Sequence, residues 1–255
     1  MDDQPRTTEP YPDTNTRSIY LGSTRLAHEH LVAQSQVVLR LGRILMKSGA
    51  SAYRIKASMA RLAKAVGLKE HHAQVTFTEI STSSYTDGNF RTEVAEQRTM
   101  GINAHKLDQL GKFISELPEK ITPAEANAEL DLIDSAKPLY TRWMLALASA
   151  VACAGFAFLN RGGLVECTVV FFAAGAGQFL RSTLLKRGVS HLATWMACGF
   201  LAAGLYIALV NVLVAAGWIS PNHMIGFISS VLFLVPGFPM VTGMLDISRM
   251  DFLAG

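Results

Sequence analysis

Residues 192–219 read LATWMACGFLAAGLYIALVNVLVAAGWI, a run of 28 residues without a charged side chain. A second uncharged run, residues 224–245, contains 22 residues. A helix needs roughly 20 apolar residues to cross the hydrocarbon core of a bilayer, so each run is long enough to span a membrane. The sequence therefore predicts an α-helical integral membrane protein.

The charged residues are divided unevenly along the chain. Residues 1–142 carry 35 of the 43 charged side chains, whereas residues 143–245 carry only five. Those five are Arg161, Glu166, Arg181, Lys186 and Arg187. This division predicts an N-terminal soluble domain at 23–140 and a transmembrane domain at 141–255.

Within the apolar half, membrane spans are predicted at about 143–160, 163–181, 191–217 and 223–245. A span must satisfy its own backbone hydrogen bonds in the absence of water, which favours helices over open strands. The second span has an uncharged core of 14 residues between Glu166 and Arg181. Both charges lie near its ends, where a long arginine side chain can extend to the membrane interface.

Basic residues beside the predicted spans define their orientation, because cytoplasmic loops are enriched in lysine and arginine. Arg161 is the only basic residue on one side of the membrane. The other side has five, namely Arg142, Arg181, Lys186, Arg187 and Arg249. The sequence therefore predicts that the N-terminal domain and the C-terminal residues lie in the cytoplasm.

The soluble half has the patterns of an α+β domain. Helical periodicity, capping residues and glycine stops predict helices at about 23–48, 51–66, 104–116 and 122–136. Residues 74–80 and 90–94 have the composition of strands, and Asp87-Gly88 between them is a favoured hairpin turn. Residues 1–22 contain three prolines and few apolar side chains, which predicts a disordered tail.

Several functions are disfavoured by the sequence. A nucleotide-driven pump needs a Gly-x-x-x-x-Gly-Lys-Ser/Thr loop, and Gly111-Lys112 lacks both the upstream glycine and the hydroxyl residue. The paired histidines lie one or two residues apart, so neither pair shares a helix face as a metal-binding pair would. Residues 1–141 carry 17 basic and 17 acidic residues, which gives no net attraction for nucleic acid. We expect no cofactor, no metal and no nucleic-acid partner.

The sharpest feature of the apolar half is Val235-Pro236-Gly237-Phe238-Pro239. Two prolines interrupt the helical hydrogen bonds, and broken helices of this kind coordinate substrates or ions in transporters. The alternative is a simple proline kink. We assign Pro236, Gly237 and Pro239 to a substrate or ion pathway, with Glu166 as a candidate proton relay.

Two further candidates lie in the soluble half. The segment Thr76–Tyr85 is dense in hydroxyl groups beside the carboxylate of Glu79, as in a small-molecule or hydrolytic site, although a solvated strand also favours threonine. Asn103 can cap the helix predicted at 104–116. His105 in the same segment has either a functional or a purely structural role.

Four segments, in this order, resemble motifs of the threonine/serine exporter family. They are Gly49-Ala50-Ser51-Ala52-Tyr53-Arg54, Gly101-Ile102-Asn103-Ala104-His105, Asn160-Arg161-Gly162-Gly163, and Val235–Pro239 followed by Asp246. The likeness begins at about residue 35 and continues to the last residue. The four segments occur in the order of the family, in a chain whose soluble half precedes its membrane half. This combination makes the resemblance specific.

The resemblance implies a subunit of a secondary exporter in the bacterial inner membrane. Members of the split form work with a separate small membrane subunit and are implicated in succinate export, whereas fused members export threonine and serine. Asp246 is then assigned to the pathway, and Arg54, Glu79, Asn103 and His105 to a cytoplasmic vestibule. Relatives continue into a fifth span, so the sequence is expected to be one span short.

Two other functions stay open at this point. A membrane-anchored enzyme of hydrolase ancestry would place its active site in residues 74–105. A non-catalytic scaffold or sensor would bind a partner, or a second copy of the chain, through small-residue faces of its spans such as Ala173–Gly177.

Overall fold

The computed structural model describes residues 14–86, 88–97, 101–136, 139–218 and 224–255. These residues form two compact units. Unit 1 contains the described residues up to 136 together with 238–255, and unit 2 contains those from 139 to 237. The segment Phe238–Gly255, which we predicted as part of the transmembrane domain at 141–255, therefore packs with unit 1.

Unit 1 is built from four helices, three strands and most of a C-terminal helix. In chain order its elements are α1 (Thr14–Lys47), α2 (Ala52–Ala65), β1 (Glu70–Val75), β2 (Glu79–Thr86), β3 (Asn89–Glu96), α3 (Ala104–Ser115), α4 (Pro123–Ser135) and, at the end of the chain, α9 (Gly237–Ser248). Buried apolar side chains of α1 to α4 and of the sheet form one core, with Leu41, Met59, Ile80, Leu110 and Leu130 among its fully buried members.

The predicted starts of α2, α3 and α4 are confirmed by their caps. The Ser51 side chain accepts from the Arg54 N–H at the start of α2, and Asn103 does the same for Lys106 in α3. Thr122 and Glu125 form a reciprocal capping box at α4. These caps fix where each helix begins.

Helix α1 begins at Thr14, earlier than the start we predicted near Ser23. The part of the predicted tail from Thr14 onward is therefore helical, and residues 1–13 lie outside the described residues. The prediction rested on prolines, and the last of these is Pro12. Beyond it no proline interrupts the helical hydrogen bonds.

The sheet has three antiparallel strands in the order β1-β2-β3, whereas the sequence predicted two. The strand predicted at 74–80 in fact crosses a turn, in which the Thr76 N–H donates to the Glu79 carbonyl at 2.9 Å. The Thr76 hydroxyl accepts from the Glu79 N–H at 3.1 Å. The first part of β1 was missed because Glu70, His71 and His72 are polar. The predicted hairpin is confirmed, since Thr86 pairs with Asn89 across a two-residue connection.

Unit 2 contains α5 (Arg142–Leu159), α6 (Leu164–Lys186), α7 (His191–Ala215), α8 (Met224–Ser230) and a 3₁₀ turn (Leu232–Leu234). Within the described residues, α5, α6 and α7 are each long and apolar enough to cross a membrane. The count rises to four if the broken pair 225–234 and 237–248 forms one span. The protein is therefore a membrane protein, as predicted. Helix α6 extends to Lys186, so Arg181 lies inside it rather than at its end.

Small residues allow the helices of unit 2 to pack closely. Ala173, Ala174 and Gly177 are buried on α6. A Cβ atom on Gly177 would lie 2.5 Å from the Phe233 ring and 3.1 Å from Ala202 of α7. The packing role predicted for this stretch is confirmed, because a larger side chain would separate the helices.

Gly49 is a position where the backbone itself demands glycine. Its φ is +88°, and a Cβ atom there would lie 2.9 Å from the Gly101 carbonyl oxygen. The Gly101 carbonyl is held in place because the N–H of the same residue donates to the Lys47 backbone carbonyl at 3.1 Å.

We expect Gly49→Ala to lower the free energy of unfolding by more than Gly88→Ala does. Gly88 has a similar φ of +80° but nothing within 4 Å of its Cβ position, so it reports the cost of the backbone angle alone. That cost is about 1–2 kcal/mol. Unfolding of the detergent-solubilised protein measures both variants, and equal destabilisation would contradict the predicted clash.

Burial, with a smaller effect of the neighbouring His72, lowers the pKa of His71 from 6.5 to about 4. Between these values the unfolded chain binds a proton that the folded chain does not, so stability falls as the pH drops from about 6.5 towards 4. We expect His71→Gln to flatten this dependence. Unfolding temperatures measured across the pH range test it, with His30→Gln, at an exposed position of α1, as control. A wild-type slope in the His71 variant would contradict the prediction.

Candidate functional site

The carboxylate of Glu166 is buried in unit 2 and has two identified hydrogen-bond donors. The residue lies in the first turn of α6 and is only 9 % exposed. Its Oε1 accepts the Tyr206 hydroxyl at 3.1 Å and the Gly226 N–H at 2.8 Å. Three helices, α6, α7 and α8, thus meet at one carboxylate oxygen.

Tyr206 belongs to a regular buried face of α7. Buried residues recur there at every fourth position, at Thr194, Cys198, Ala202, Tyr206 and Val210. Tyr206 was not predicted as a functional residue, although it is a hydroxyl-bearing residue on the small-residue face of an otherwise apolar span. A buried tyrosine hydroxyl requires a hydrogen-bond partner, and Glu166 provides one.

Gly226 lets the backbone of α8 approach the carboxylate. A Cβ atom at this position would collide with the Tyr206 hydroxyl and lie 2.6 Å from Glu166 Oε1. The N–H of residue 226 can therefore reach the carboxylate only if the residue has no side chain. No role was predicted for Gly226 from the sequence, because its hydrogen bond to Glu166 joins residues that are 60 positions apart.

The fourth apolar segment is interrupted where the two prolines predict it. Val235 is extended, and the Gly237 N–H donates to the Val235 carbonyl at 2.9 Å instead of continuing the preceding helical turn. Arg181 Nη1 donates to the Phe233 carbonyl at 3.2 Å. An arginine of α6 thus satisfies a backbone oxygen near the break.

The predicted pathway residues are divided between the two units. Pro236 is half-buried, whereas Gly237 and Pro239 are exposed. Among the described residues, the hydrogen bonds of Glu166 go to Tyr206 and Gly226 and none goes to the proline segment. Asp246 belongs to unit 1 and not to the unit that contains Glu166.

Unit 1 has a cavity of about 410 Å³ between α2 and α9. Arg54 of the predicted vestibule and Asp246 of the predicted pathway both line it. Ser51, Tyr53, Ser58, Arg61, Leu245 and Arg249 are further lining residues. The structure therefore joins two candidates that the sequence analysis had assigned to different sites.

Asp246 is buried, with 4 % of its surface exposed. Its Oδ2 accepts the Ala52 N–H at 3.0 Å, at the start of α2, where a negative charge also favours the helix dipole. Its Oδ1 is buried and has no hydrogen-bond partner among the described residues. One oxygen thus has a structural role and the other is unused.

The other vestibule candidates do not line this cavity. Asn103 has a structural role, since it caps α3 and its N–H donates to the Ser48 carbonyl at 3.1 Å. His105 is half-buried in the first turn of α3. Glu79 is exposed at the start of β2. Their assignment to a vestibule stays a prediction.

The hydroxyl-rich segment is used within the sheet. Ser83 bonds to Thr92 at 2.9 Å, and Ser84 bonds to His71 Nδ1 at 3.0 Å. Ser84 is fully buried, so a substrate cannot reach its hydroxyl. Across the described residues, no group of three or more His, Cys, Asp or Glu side chains is placed to hold a metal ion.

Apolar helices, a broken segment and a carboxylate buried among the helices are typical of the class of membrane transporters. Comparison with known proteins agrees: the family model described as threonine/serine exporter (ThrE) matches residues 36–255. The chain belongs to the threonine/serine exporter family. The exporter role predicted from the sequence is thereby confirmed at the level of the family.

Two relatives are both called "Probable succinate transporter subunit YjjP". The protein from Klebsiella aerogenes is 25% identical over 221 residues, which is 85% of this chain and 82% of the relative. That from Escherichia coli K12 is 24% identical over 218 residues, 85% of this chain and 83% of the relative. An uncharacterized protein of Haemophilus influenzae is 24% identical over 58% of this chain and 49% of its own length. No solved structure matches the chain.

We expect Gly226→Ala to destabilise the protein and Gly204→Ala to leave it unchanged. The added methyl group would displace Glu166 or Tyr206 from the buried cluster, whereas nothing lies within 4 Å of a Cβ at residue 204. Core overpacking typically costs about 1–3 kcal/mol. Thermal unfolding in detergent compares the two variants. Equal unfolding temperatures would show that the cluster is not closely packed.

Proposed function

We propose that the chain is one subunit of a secondary exporter of small carboxylates or amino acids, with Glu166 as its proton-binding group. The observation that carries this proposal is the enclosure of Glu166 by α6, α7 and α8. An ionisable side chain inside a membrane-spanning bundle is costly, and such residues commonly mark proton or substrate pathways.

The surroundings of Glu166 suit a group that binds and releases a proton. The Tyr206 hydroxyl and the Gly226 backbone N–H both donate to Oε1 of the carboxylate. On protonation, the carboxyl group would change from acceptor to donor at one oxygen. The Tyr206 hydroxyl can rotate to accept this hydrogen bond instead of donating it. Protonation of Glu166 would then change the hydrogen bond that joins α6 to α7.

The interruption after Leu234 supports a pathway in the same unit. The Phe233 carbonyl accepts from Arg181, so irregular backbone and a positive charge lie together. Transporters tolerate irregular backbone at membrane depth where it lines a cavity or is buried in protein. We assign to Arg181 the positioning of this segment, and to Pro236, Gly237 and Pro239 the interruption itself.

The topology that we propose places the N-terminal domain, residues 23–140, in the cytoplasm and the helices α5–α7 in the bacterial inner membrane. Its support is the excess of lysine and arginine beside one end of the spans. Arg54, Glu79, Asn103 and His105 would then face the cytoplasm.

A second membrane subunit is part of the proposal, because the two succinate relatives are named as transporter subunits. Their substrate, together with the threonine and serine in the name of the family, gives the candidate substrates: succinate, threonine and serine. Small-residue faces such as Ala173–Gly177 could also pack against a further copy of the chain.

The test measures efflux of preloaded succinate, threonine and serine from cells that express the chain with its partner subunit. We expect Glu166→Gln to reduce efflux at least about tenfold and to remove its dependence on the proton gradient, because glutamine cannot bind and release a proton. Glu129→Gln, at an exposed position of α4, is the matched control and should leave efflux unchanged.

Tyr206→Phe separates proton binding from packing, because it removes the hydroxyl and keeps the ring. We expect an intermediate loss of efflux and a shifted pH dependence. Wild-type efflux by Glu166→Gln would overturn the assigned role of Glu166. No efflux of any of the three compounds above that of cells without the gene would overturn the exporter itself.

A further inference from the structure

The cavity between α2 and α9 has an excess of positive charge on its walls. Arg54 and Arg61 line it from α2, at a helical spacing that places them on one face, and Arg249 lines it from the C-terminal segment. Among the described residues that line the cavity, Asp246 is the only acidic one, and its Oδ2 already accepts the Ala52 N–H. A space of about 410 Å³ thus has three guanidinium groups and one engaged carboxylate around it, which favours an anionic ligand.

The charges of the three arginines are not neutralised within the described part of the chain. Arg54 Nη2 donates to the Leu107 carbonyl at 2.6 Å, and Arg61 Nη2 donates to the Ser115 carbonyl at 3.0 Å. Neither these two arginines nor Arg249 forms a salt bridge with another described residue. A guanidinium has five N–H donors and binds phosphate through two of them at once, so each arginine keeps donors for a phosphate group.

An exposed apolar face of α9 leads to this cavity. Val241 and Leu245 are 61 % and 48 % exposed and lie four residues apart, so they share a face of the helix. The Arg249 N–H donates to the Leu245 carbonyl at 3.2 Å, so the same spacing continues to the arginine. Met240 and Met244 extend the exposed apolar surface. An apolar surface of this kind on a membrane protein favours contact with lipid chains.

Tyr53 and Arg249 form a pair that is typical of a membrane interface. The guanidinium carbon lies 3.9 Å from the centre of the Tyr53 ring, and the tyrosine is exposed. Tyrosine is enriched at the level of the lipid headgroups, and a long arginine side chain extends to that level. The apolar face of α9 and the arginines beyond it therefore follow the order in which a phospholipid presents its acyl chains and its phosphate.

We infer that the cavity binds the phosphate of an anionic phospholipid whose acyl chains lie along Val241 and Leu245. The arginines donate to the phosphate oxygens. A lipid such as phosphatidylglycerol carries this negative charge without a cationic group, whereas the trimethylammonium group of phosphatidylcholine is repelled by the guanidinium groups. The lipid is not the cargo of the proposed exporter, and its site is separate from Glu166.

The test is a titration of the purified full-length chain in a neutral maltoside detergent, with binding measured by microscale thermophoresis. We expect dioleoyl-phosphatidylglycerol to bind at least about tenfold more tightly than dioleoyl-phosphatidylcholine, and its affinity to fall as the salt concentration rises. Glycerol 3-phosphate has a phosphate group and no acyl chain. We expect it to bind at least about tenfold more weakly than phosphatidylglycerol, because it buries no apolar surface against α9.

Arg249→Gln and Arg61→Gln each remove one guanidinium group from the cavity. We expect either change to weaken phosphatidylglycerol binding about fivefold, and to leave phosphatidylcholine binding unchanged. Arg43→Gln, at an exposed position of α1 that does not line the cavity, removes the same charge and is the matched control. It should bind as the wild type does. Unfolding temperatures without lipid show that each variant is folded, and two cavity variants allow the test if one of them is not.

Equal affinity for the two phospholipids, or binding of neither, would overturn the inference. So would wild-type affinity in the folded cavity variants, or an equal loss in Arg43→Gln. Binding of glycerol 3-phosphate as tight as that of phosphatidylglycerol would replace the lipid by a soluble phosphate ester and overturn it as well. Glu166→Gln should lose efflux and keep lipid binding, so a failure of the lipid site and a failure of the exporter proposal are distinguishable.

Discussion

A carboxylate inside a membrane-spanning unit must find its hydrogen-bond donors within the protein, because no bulk water is available to solvate it. Glu166 meets this requirement with one hydroxyl and one backbone N–H. Both donors come from other helices, so the position of α7 and that of α8 are tied to the carboxylate. The absence of a side chain at Gly226 and the four-residue periodicity that buries Tyr206 follow from the same constraint.

The interrupted segment obeys a related rule. Proline removes an N–H donor, and each carbonyl left without a helical partner needs another donor in a medium without water. Arg181 supplies one to Phe233. One of the few charged side chains in the apolar half thus satisfies a backbone carbonyl beside the interruption. In unit 1, Asp246 accepts the Ala52 N–H through one carboxylate oxygen, and its other oxygen is buried without a hydrogen-bond partner among the described residues.

Local signals predicted much of the fold because they depend on residues close in sequence. The caps at Ser51, Asn103 and Thr122 are read over three or four residues, and each is confirmed. The strand prediction failed at Thr76, where a side-chain hydrogen bond stabilises a turn within a run of residues that favour strands. Strand β1 has little apolar alternation of its own, so its pairing with β2 was needed to define it.

The sequence by itself determined the membrane class, the three long spans, the break at Pro236 and the family, because hydropathy, proline chemistry and short motifs are properties of contiguous residues. Only the tertiary structure decided which polar groups meet. It paired Glu166 with Tyr206, 40 positions away, and placed Asp246 beside Ala52, 194 positions away. Contacts at such separations depend on how helices pack, and no local pattern of the chain encodes them.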